Sequence, residues 1–325
     1  MNEYLFNFKE HLKILNRSPA TIEAYTDHVR LFMTSLTGAD IRQITTEIIE
    51  TWIAGLYDYR TKNGKPYSSN TINIKVRSLK RFFEFLEQSN VIFINPCEFI
   101  IEPKIEKGRI KTTLTNKEAS KILDQPNLGT LAGIRDRTIL EVFYSTGIRL
   151  NELCSLSIYD ADLQGSMLRI NNGKGRKDRV VPMGKHAVRF LREYISKVRP
   201  RFTKKNRTSR ILFVNQYGGS VSDQVVHIMI RKHVKTTGIN KQVTAHTFRH
   251  TFATTLVKNG ADIVAVQKMM GHADISTTQV YLRSLGVDIK KEHKKTHPRE
   301  RDKEKPATAK PAIKGIKGNY ERKQH

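Results

Sequence analysis

Residues 102–111 interrupt a chain that is otherwise organised into periodic runs of apolar residues. This stretch is mostly charged, contains one proline and one glycine, and has neither the period of a helix nor the alternation of a strand. Such a composition is typical of a linker, and a chain of 325 residues is long enough for about two domains. The sequence therefore predicts a domain at residues 1–102, a linker at 103–111, a second domain at 112–298 and a disordered basic tail at 299–325.

Apolar residues spaced three and four positions apart predict four helices in the first domain. The first covers residues 4–15. Ser18 and Pro19 are residue types preferred at the N-cap and the first helical position, so the second helix begins there. The third begins near Thr45 and the fourth covers 69–86. The apolar residues that the third helix is expected to bury are Ile48, Trp52 and Leu56.

The fourth helix also carries basic residues between its apolar ones, namely Lys75, Arg77, Lys80 and Arg81. This pattern predicts a helix that packs on one face and presents positive charge on the other. An ordinary solvated face is the alternative interpretation.

The second domain is predicted to be mainly helical with a small antiparallel sheet. The capping box at Thr115–Glu118 begins its first helix, and residues 134–144 form another helical stretch. Strand-like runs at 166–171 and 179–182 flank a basic turn, as in a β-hairpin. A third strand is expected at 211–214, where four apolar residues follow one another.

The net charge of the chain limits the class of partner. The 57 Lys and Arg residues exceed the 31 Asp and Glu residues by 26. Such an excess predicts a polyanionic partner, with anionic lipid as the alternative to nucleic acid. No apolar run approaches the roughly 18 residues of a membrane span, so no membrane is expected. Cys97 and Cys154 lack disulfide or zinc-ligand spacing, which favours a reducing compartment such as the cytoplasm.

Four motifs in the second domain carry groups suited to chemistry. They are Thr146–Leu153 with Arg149, Gly173–Arg179 with Lys174, His246–His250 with Arg249, and Gly271–Tyr281 with His272. Alone, each has an ordinary structural explanation, such as a helix-start arginine paired with Glu152 three residues later. His246 and His250 also have zinc-like spacing, but no HExxH glutamate accompanies them and the intervening Arg249 would repel a dication.

Together, the motifs fit chemistry on a phosphodiester. Two guanidinium groups can hold a phosphate and neutralise the charge of its pentacoordinate transition state without a metal. A tyrosine can act as the nucleophile, while a lysine or histidine moves the protons.

In this order, the four motifs resemble those of the tyrosine recombinases, or phage-integrase-type site-specific recombinases, and most closely the bacterial Xer-like group. Residues 18–25 are similar to a helix of the core-binding domain of that family, and the resemblance covers roughly residues 1–298. It implies an N-terminal all-α four-helix core-binding (SAM-like) domain. It also implies a C-terminal, mainly α catalytic domain with a small antiparallel β-sheet, the tyrosine recombinase fold.

The resemblance further implies roles for single residues. Tyr281 would be the nucleophile that forms a 3′-phosphotyrosyl link. Arg149 and Arg249 would clamp the scissile phosphate. His246 would be the general base, and His272 would donate a hydrogen bond to a non-bridging oxygen.

The basic turn is implied to supply the general acid. Lys174 matches the lysine that protonates the 5′-oxygen leaving group in that family. The choice of Lys174 over Lys177 or Arg176 depends on the Gly-Lys-Gly match alone. Glu152 corresponds to an acidic residue that supports the first arginine.

The function implied is site-specific cutting and rejoining of double-stranded DNA, without ATP, a metal or another cofactor. The implied assembly is a homo-tetramer on DNA, or a hetero-tetramer with a related recombinase. Two alternatives remain: relaxation of DNA in the manner of a type IB topoisomerase, and a non-catalytic basic DNA-binding protein.

Overall fold

The computed structural model describes residues 2–36, 38, 40–104, 112–171, 178–204 and 206–271. They form two compact units, one on each side of residues 105–111. No helix among the described residues is long and apolar enough to cross a membrane. The predicted tail and most of the predicted linker lie outside the described residues.

The predicted four helices of the first domain are confirmed. In the described residues up to 104 they are α1 (Asn2–Ile14), α2 (Pro19–Ser35), α3 (Thr46–Asp58) and α4 (Ser69–Gln88). The Ser18 side chain accepts a hydrogen bond from the backbone N–H of Thr21, so it caps α2 as expected. On α3 the buried isoleucine is Ile49, whereas Ile48 is 37% exposed. The prediction was wrong by one position because the apolar stripe runs through Ile49, Trp52, Ile53 and Leu56.

Helix α4 lies at the centre of the first unit and packs against α1, α2 and α3. Its Phe82 ring meets Phe8 of α1 edge to face at 5.3 Å, and Phe83 meets Phe32 of α2 at 6.1 Å. All four rings are fully buried. Aromatic packing of this kind holds both α1 and α2 against α4.

The cationic face predicted for α4 is wrong at Lys75. This side chain is only 6% exposed, and its Nζ lies 5.0 Å from the centre of the Tyr67 ring. Burial lowers the pKa of Lys75, while the ring favours the ammonium form. Because α4 is surrounded by three helices, only a narrow stripe of its surface reaches solvent.

Two further basic residues of α4 bind the segment that follows the helical unit. Arg77 pairs with Glu102 at 2.7 Å, and the Nζ of Lys80 donates to the carbonyl of Ile100 at 2.7 Å. Arg77 and Lys80 therefore bind residues 100–102 of the same chain instead of projecting freely into solvent.

The second unit combines helices with a small sheet. Its helices among the described residues are α5 (Asn116–Leu123), α6 (Leu131–Thr146), α7 (Leu150–Ser155), α8 (Lys185–Glu193), α9 (Arg199–Phe202), α10 (Asp223–Lys235), α11 (Ala245–Lys258) and α12 (Ile263–Met270). The predicted capping box is confirmed, since Thr115 and Glu118 exchange side-chain to backbone hydrogen bonds at the start of α5. A single π-helical turn, Tyr194–Val198, joins α8 to α9.

The sheet is antiparallel, with strand order β1 (Ala161–Asp162), β2 (Met167–Ile170) and β3 (Arg179–Pro182). The predicted hairpin is confirmed in β2 and β3, where Ile170 pairs with Arg179 beside the turn. The strand predicted at 211–214 is wrong, because this run makes only isolated bridges, to Ser157 and Ser220. A short, continuously buried apolar run does not distinguish a strand from an irregular core segment.

The core of the second unit brings the end of α6 to α11. Phe143 of α6 and Phe248 of α11 are fully buried and stack with their ring centres 6.5 Å apart. This packing places the α6–α7 junction next to α11, where two of the motifs identified in the sequence meet.

Candidate active site

The α6–α7 junction fixes the position of Arg149. Gly147 ends α6 with a φ of +59°, and a Cβ on it would lie 2.4 Å from the ring of Phe252. Both the left-handed backbone and the close ring require glycine. Two residues later, Arg149 is the N-cap of α7.

Glu152 holds Arg149 from one turn further along α7. Its Oε2 accepts the backbone N–H of Arg149 at 2.8 Å, and its Oε1 accepts Nη1 of the same residue at 2.7 Å. The Glu152 side chain is 7% exposed, whereas that of Arg149 is 22% exposed. The guanidinium is therefore oriented by a buried carboxylate while part of it faces solvent.

Arg249 is held by backbone carbonyls instead. This residue of α11 is 6% exposed, and it donates Nη1 to the carbonyl of Gly147 at 2.7 Å and Nη2 to that of Met270 at 2.5 Å. His246 precedes it by almost one turn of α11 and is exposed, whereas His250 is buried.

Sequence reasoning assigned no role to Arg179, the first residue of β3. Its Nη1 and Nη2 donate to Oε1 and Oε2 of Glu152 at 2.9 and 2.7 Å. Its Nε donates to the carbonyl of Met269 at 2.8 Å. The only sequence signal was its place at the end of the basic hairpin motif.

The C-terminus of α12 is the point at which these arginines meet. The carbonyls of Met269, Met270 and Gly271 accept hydrogen bonds from Arg179, Arg249 and Arg149 in turn. The last carbonyls of a helix lack partners within the helix and carry the negative end of its dipole. These three carbonyls therefore accept hydrogen bonds from guanidinium groups of α7, β3 and α11 and hold them in place.

The charge of Glu152 depends on its two arginines. Burial raises the pKa of this carboxyl, but hydrogen bonds from Arg179 and Arg149 outweigh burial and leave the pKa at about 2. Glu152 is thus ionised throughout the neutral range, and its charge belongs to an ion-pair network rather than to a proton-transfer group.

This pKa predicts an acid-sensitive contribution to stability. A carboxyl with a lowered folded-state pKa stabilises above its usual pKa of 4.5, and that contribution is lost as pH falls toward about 2. Between pH 7 and pH 3 we expect a loss of about 1–2 kcal/mol in the free energy of unfolding, allowing for solvent screening. The difference in stability between wild type and Glu152→Gln, measured by denaturant titration, should therefore narrow at pH 3. Glu193→Gln is the control, since this side chain is 38% exposed and pairs with the exposed Lys197 at the surface. An unchanged difference for Glu152→Gln would contradict the prediction.

The structure places three of the six candidate site residues. Arg149 and Arg249 hold adjacent carbonyls of the α12 terminus, and His246 lies at the exposed start of α11. Lys174, His272 and Tyr281 lie outside the described residues.

Two family models match the chain. The phage integrase family model matches residues 112–286, and the phage integrase N-terminal SAM-like domain model matches residues 5–90. The predicted fold class, a SAM-like helical domain followed by a mainly helical catalytic domain with a small sheet, is confirmed.

Curated relatives match over most of their length. Tyrosine recombinase XerD of Staphylococcus saprophyticus is 35% identical over 90% of this chain and 98% of the relative. Tyrosine recombinase XerC of Thermodesulfovibrio yellowstonii is 34% identical over 93% of this chain and 98% of the relative.

Solved structures share the fold at lower identity. A crystal structure of XerH site-specific recombinase bound to palindromic difH substrate has a TM-score of 0.67 at 22% identity, covering 88% of this chain and 81% of that one. The Tn1549 transposon integrase in complex with transposon right-end DNA has a TM-score of 0.68 at 20% identity, covering 89% and 99%. The phage integrase family model covers more than half of the chain, and the XerC and XerD relatives are 34–35% identical over at least 90% of it: the chain belongs to the phage integrase family and is a tyrosine recombinase.

Proposed function

We propose that this chain cuts and rejoins double-stranded DNA at a specific site through a 3′-phosphotyrosyl intermediate. The observation that carries the proposal is the pair of arginines, Arg149 and Arg249, bound to adjacent carbonyls directly before His272. Two guanidinium groups held in this way present fixed positive charge to one phosphate.

The clamp is arranged before DNA binds. Arg149 donates from Nη1 to Glu152 and from Nη2 to the carbonyl of Gly271, and its side chain is 22% exposed, so a phosphate can approach the remaining N–H groups. Arg249 is anchored at both Nη atoms. Such groups need little reorganisation when charge develops on the non-bridging oxygens, and His272 adds a third donor to those oxygens.

Tyr281 attacks the phosphorus, and the bond to the 5′-oxygen breaks. A phenol has an ordinary pKa of about 10, so His246 accepts its proton during the attack. His246 lies at the start of α11 and is exposed to solvent, as a base that meets a substrate must be.

The leaving 5′-oxygen takes a proton from Lys174. The phosphotyrosyl ester retains the energy of the broken phosphodiester, so attack by a 5′-hydroxyl of a second strand reverses the chemistry. This exchange needs neither ATP nor a metal.

The two units divide the task of DNA binding. Residues 1–102 act as the core-binding domain and residues 112–298 as the catalytic domain, joined by the linker at 103–111. In the first unit, the exposed Arg77 and Arg81 of α4 pair with Glu102 and Glu84, and such weak surface pairs can exchange for phosphate contacts. On DNA the chain assembles as a tetramer, either with itself or with a related recombinase.

Relaxation of supercoiled DNA is the competing activity, and dependence on sequence separates the two. The test uses the DNA that flanks the gene of this chain, on nicked suicide substrates and on supercoiled plasmids. We expect a covalent adduct and strand exchange only with DNA that contains the site. Relaxation of plasmids regardless of sequence would favour a topoisomerase, and the absence of any adduct would favour a binding protein.

A further inference from the structure

Of the three described arginines that bind the α12 terminus, Arg179 is the one that the proposed mechanism does not use. It lies at the base of the hairpin, where it pairs with Ile170 of β2, and its side chain is 9% exposed. All three nitrogen groups of its guanidinium are engaged, Nε with Met269 and both Nη atoms with Glu152. These bonds use three of its five N–H groups and hold the buried guanidinium against Glu152 and the α12 terminus.

The carboxylate of Glu152 is shared evenly between two arginines. Each of its oxygens accepts one hydrogen bond from Arg149 and one from Arg179, at 2.7–2.9 Å. A carboxylate paired with Arg149 alone would cancel the charge of that arginine. With Arg179 added, the group of three carries a net charge of +1, so Arg149 keeps an attraction for phosphate that Glu152 alone would remove.

Close packing supports the same arrangement. A Cβ on Gly271 would lie 3.0 Å from Nη1 of Arg179, so the α12 terminus approaches this guanidinium as closely as a glycine allows. Arg149 binds the carbonyl of that same glycine. Arg149 and Arg179 therefore both bind the carboxylate of Glu152 and the backbone at the end of α12.

We propose that Arg179 is a positioning residue for strand cleavage: by sharing Glu152 with Arg149 and binding the carbonyl of Met269, it sets the orientation and net charge of the phosphate clamp. The inference rests on the proposed function, because it acts through the phosphate contact assigned to Arg149. Arg179 itself touches no reacting atom.

The test is a cycle of variants measured as single-turnover adduct formation on saturating nicked DNA. Arg179→Met removes the positive charge and the planar set of guanidinium N–H donors but keeps an unbranched side chain. We expect its rate constant to fall about 100-fold, as for other small displacements of a catalytic group. DNA affinity should stay close to wild type, because one buried charge among many is lost. Loss of folded protein would instead lower the amplitude of the reaction and leave the rate constant unchanged.

Glu152→Gln supplies the second arm of the cycle. Arg179 is proposed to act by sharing the carboxylate of Glu152 with Arg149. Once Glu152→Gln has removed that carboxylate, adding Arg179→Met should slow cleavage little further. Arg169→Met is the matched control, since Arg169 is exposed on the neighbouring strand β2, and it should cleave like wild type. If Arg179→Met does not fold, Arg179→Lys takes its place in the same cycle.

A wild-type rate constant in the Arg179 variant, or equal slowing of cleavage in both Glu152 backgrounds, would overturn the inference. Tyr281→Phe is run in parallel to keep the two proposals separate. An adduct in Tyr281→Phe would contradict the proposed function, whereas the Arg179 cycle tests only the positioning role.

Discussion

Tyr281→Phe is expected to abolish the covalent protein–DNA adduct. The substitution removes only the hydroxyl and keeps the aromatic ring, so DNA affinity should stay close to wild type. No other group is expected to replace the lost nucleophile, because the proposed mechanism presents the phosphate to one tyrosine only. On a nicked suicide substrate the wild-type protein should accumulate the adduct at the 3′-phosphate, and the variant should accumulate none.

Two described tyrosines serve as references for this result. Tyr194 is fully buried, donates to the carbonyl of Leu212 and has its pKa raised by burial to about 12, which fits a structural role. Burial also raises the pKa of Tyr144, which is half-buried on α6. Tyr144→Phe is therefore the matched control and should retain the adduct. An adduct mapped to Tyr144 by peptide mass, or one that persists in Tyr281→Phe, would overturn the assignment.

Local signals in the sequence predicted the elements that depend on local interactions. The N-cap at Ser18 and the capping box at Thr115–Glu118 lie where expected, because these side chains bond to backbone groups three residues away. The hairpin strands were found for the same reason. Alternation and a turn lie within one short stretch of chain.

Long-range contacts could not be predicted in this way. Glu152 and Arg179 are 27 residues apart in the sequence, and nothing in either motif indicates their pairing. The carbonyls at the end of α12 carry no side-chain signature at all. Lys75 was assigned to a solvated face because periodicity does not reveal that Tyr67, from the loop before α4, covers its ammonium group.

Arg249 is expected to be the clamp residue least tolerant of substitution. Arg249→Ala should reduce the rate of adduct formation by about 1,000-fold or more, since a fixed cationic donor to the transition state is lost. It should also lower the free energy of unfolding by about 1–3 kcal/mol for each buried carbonyl left without its donor. Those carbonyls belong to Gly147 and Met270. Single-turnover cleavage and denaturant titration measure the two effects separately.

Arg249→Lys separates charge from geometry at this position. Lysine keeps the positive charge, but its single ammonium cannot bridge the carbonyls of Gly147 and Met270 and also face a phosphate as a planar fork does. We therefore expect Arg249→Lys to remain far slower than wild type while it recovers part of the stability lost in Arg249→Ala. Lys258→Ala, at the exposed end of the same helix, controls for the loss of one charge and should cleave normally. Wild-type cleavage by Arg249→Lys would mean that charge alone matters, and that the two carbonyls are not what makes arginine necessary in the clamp.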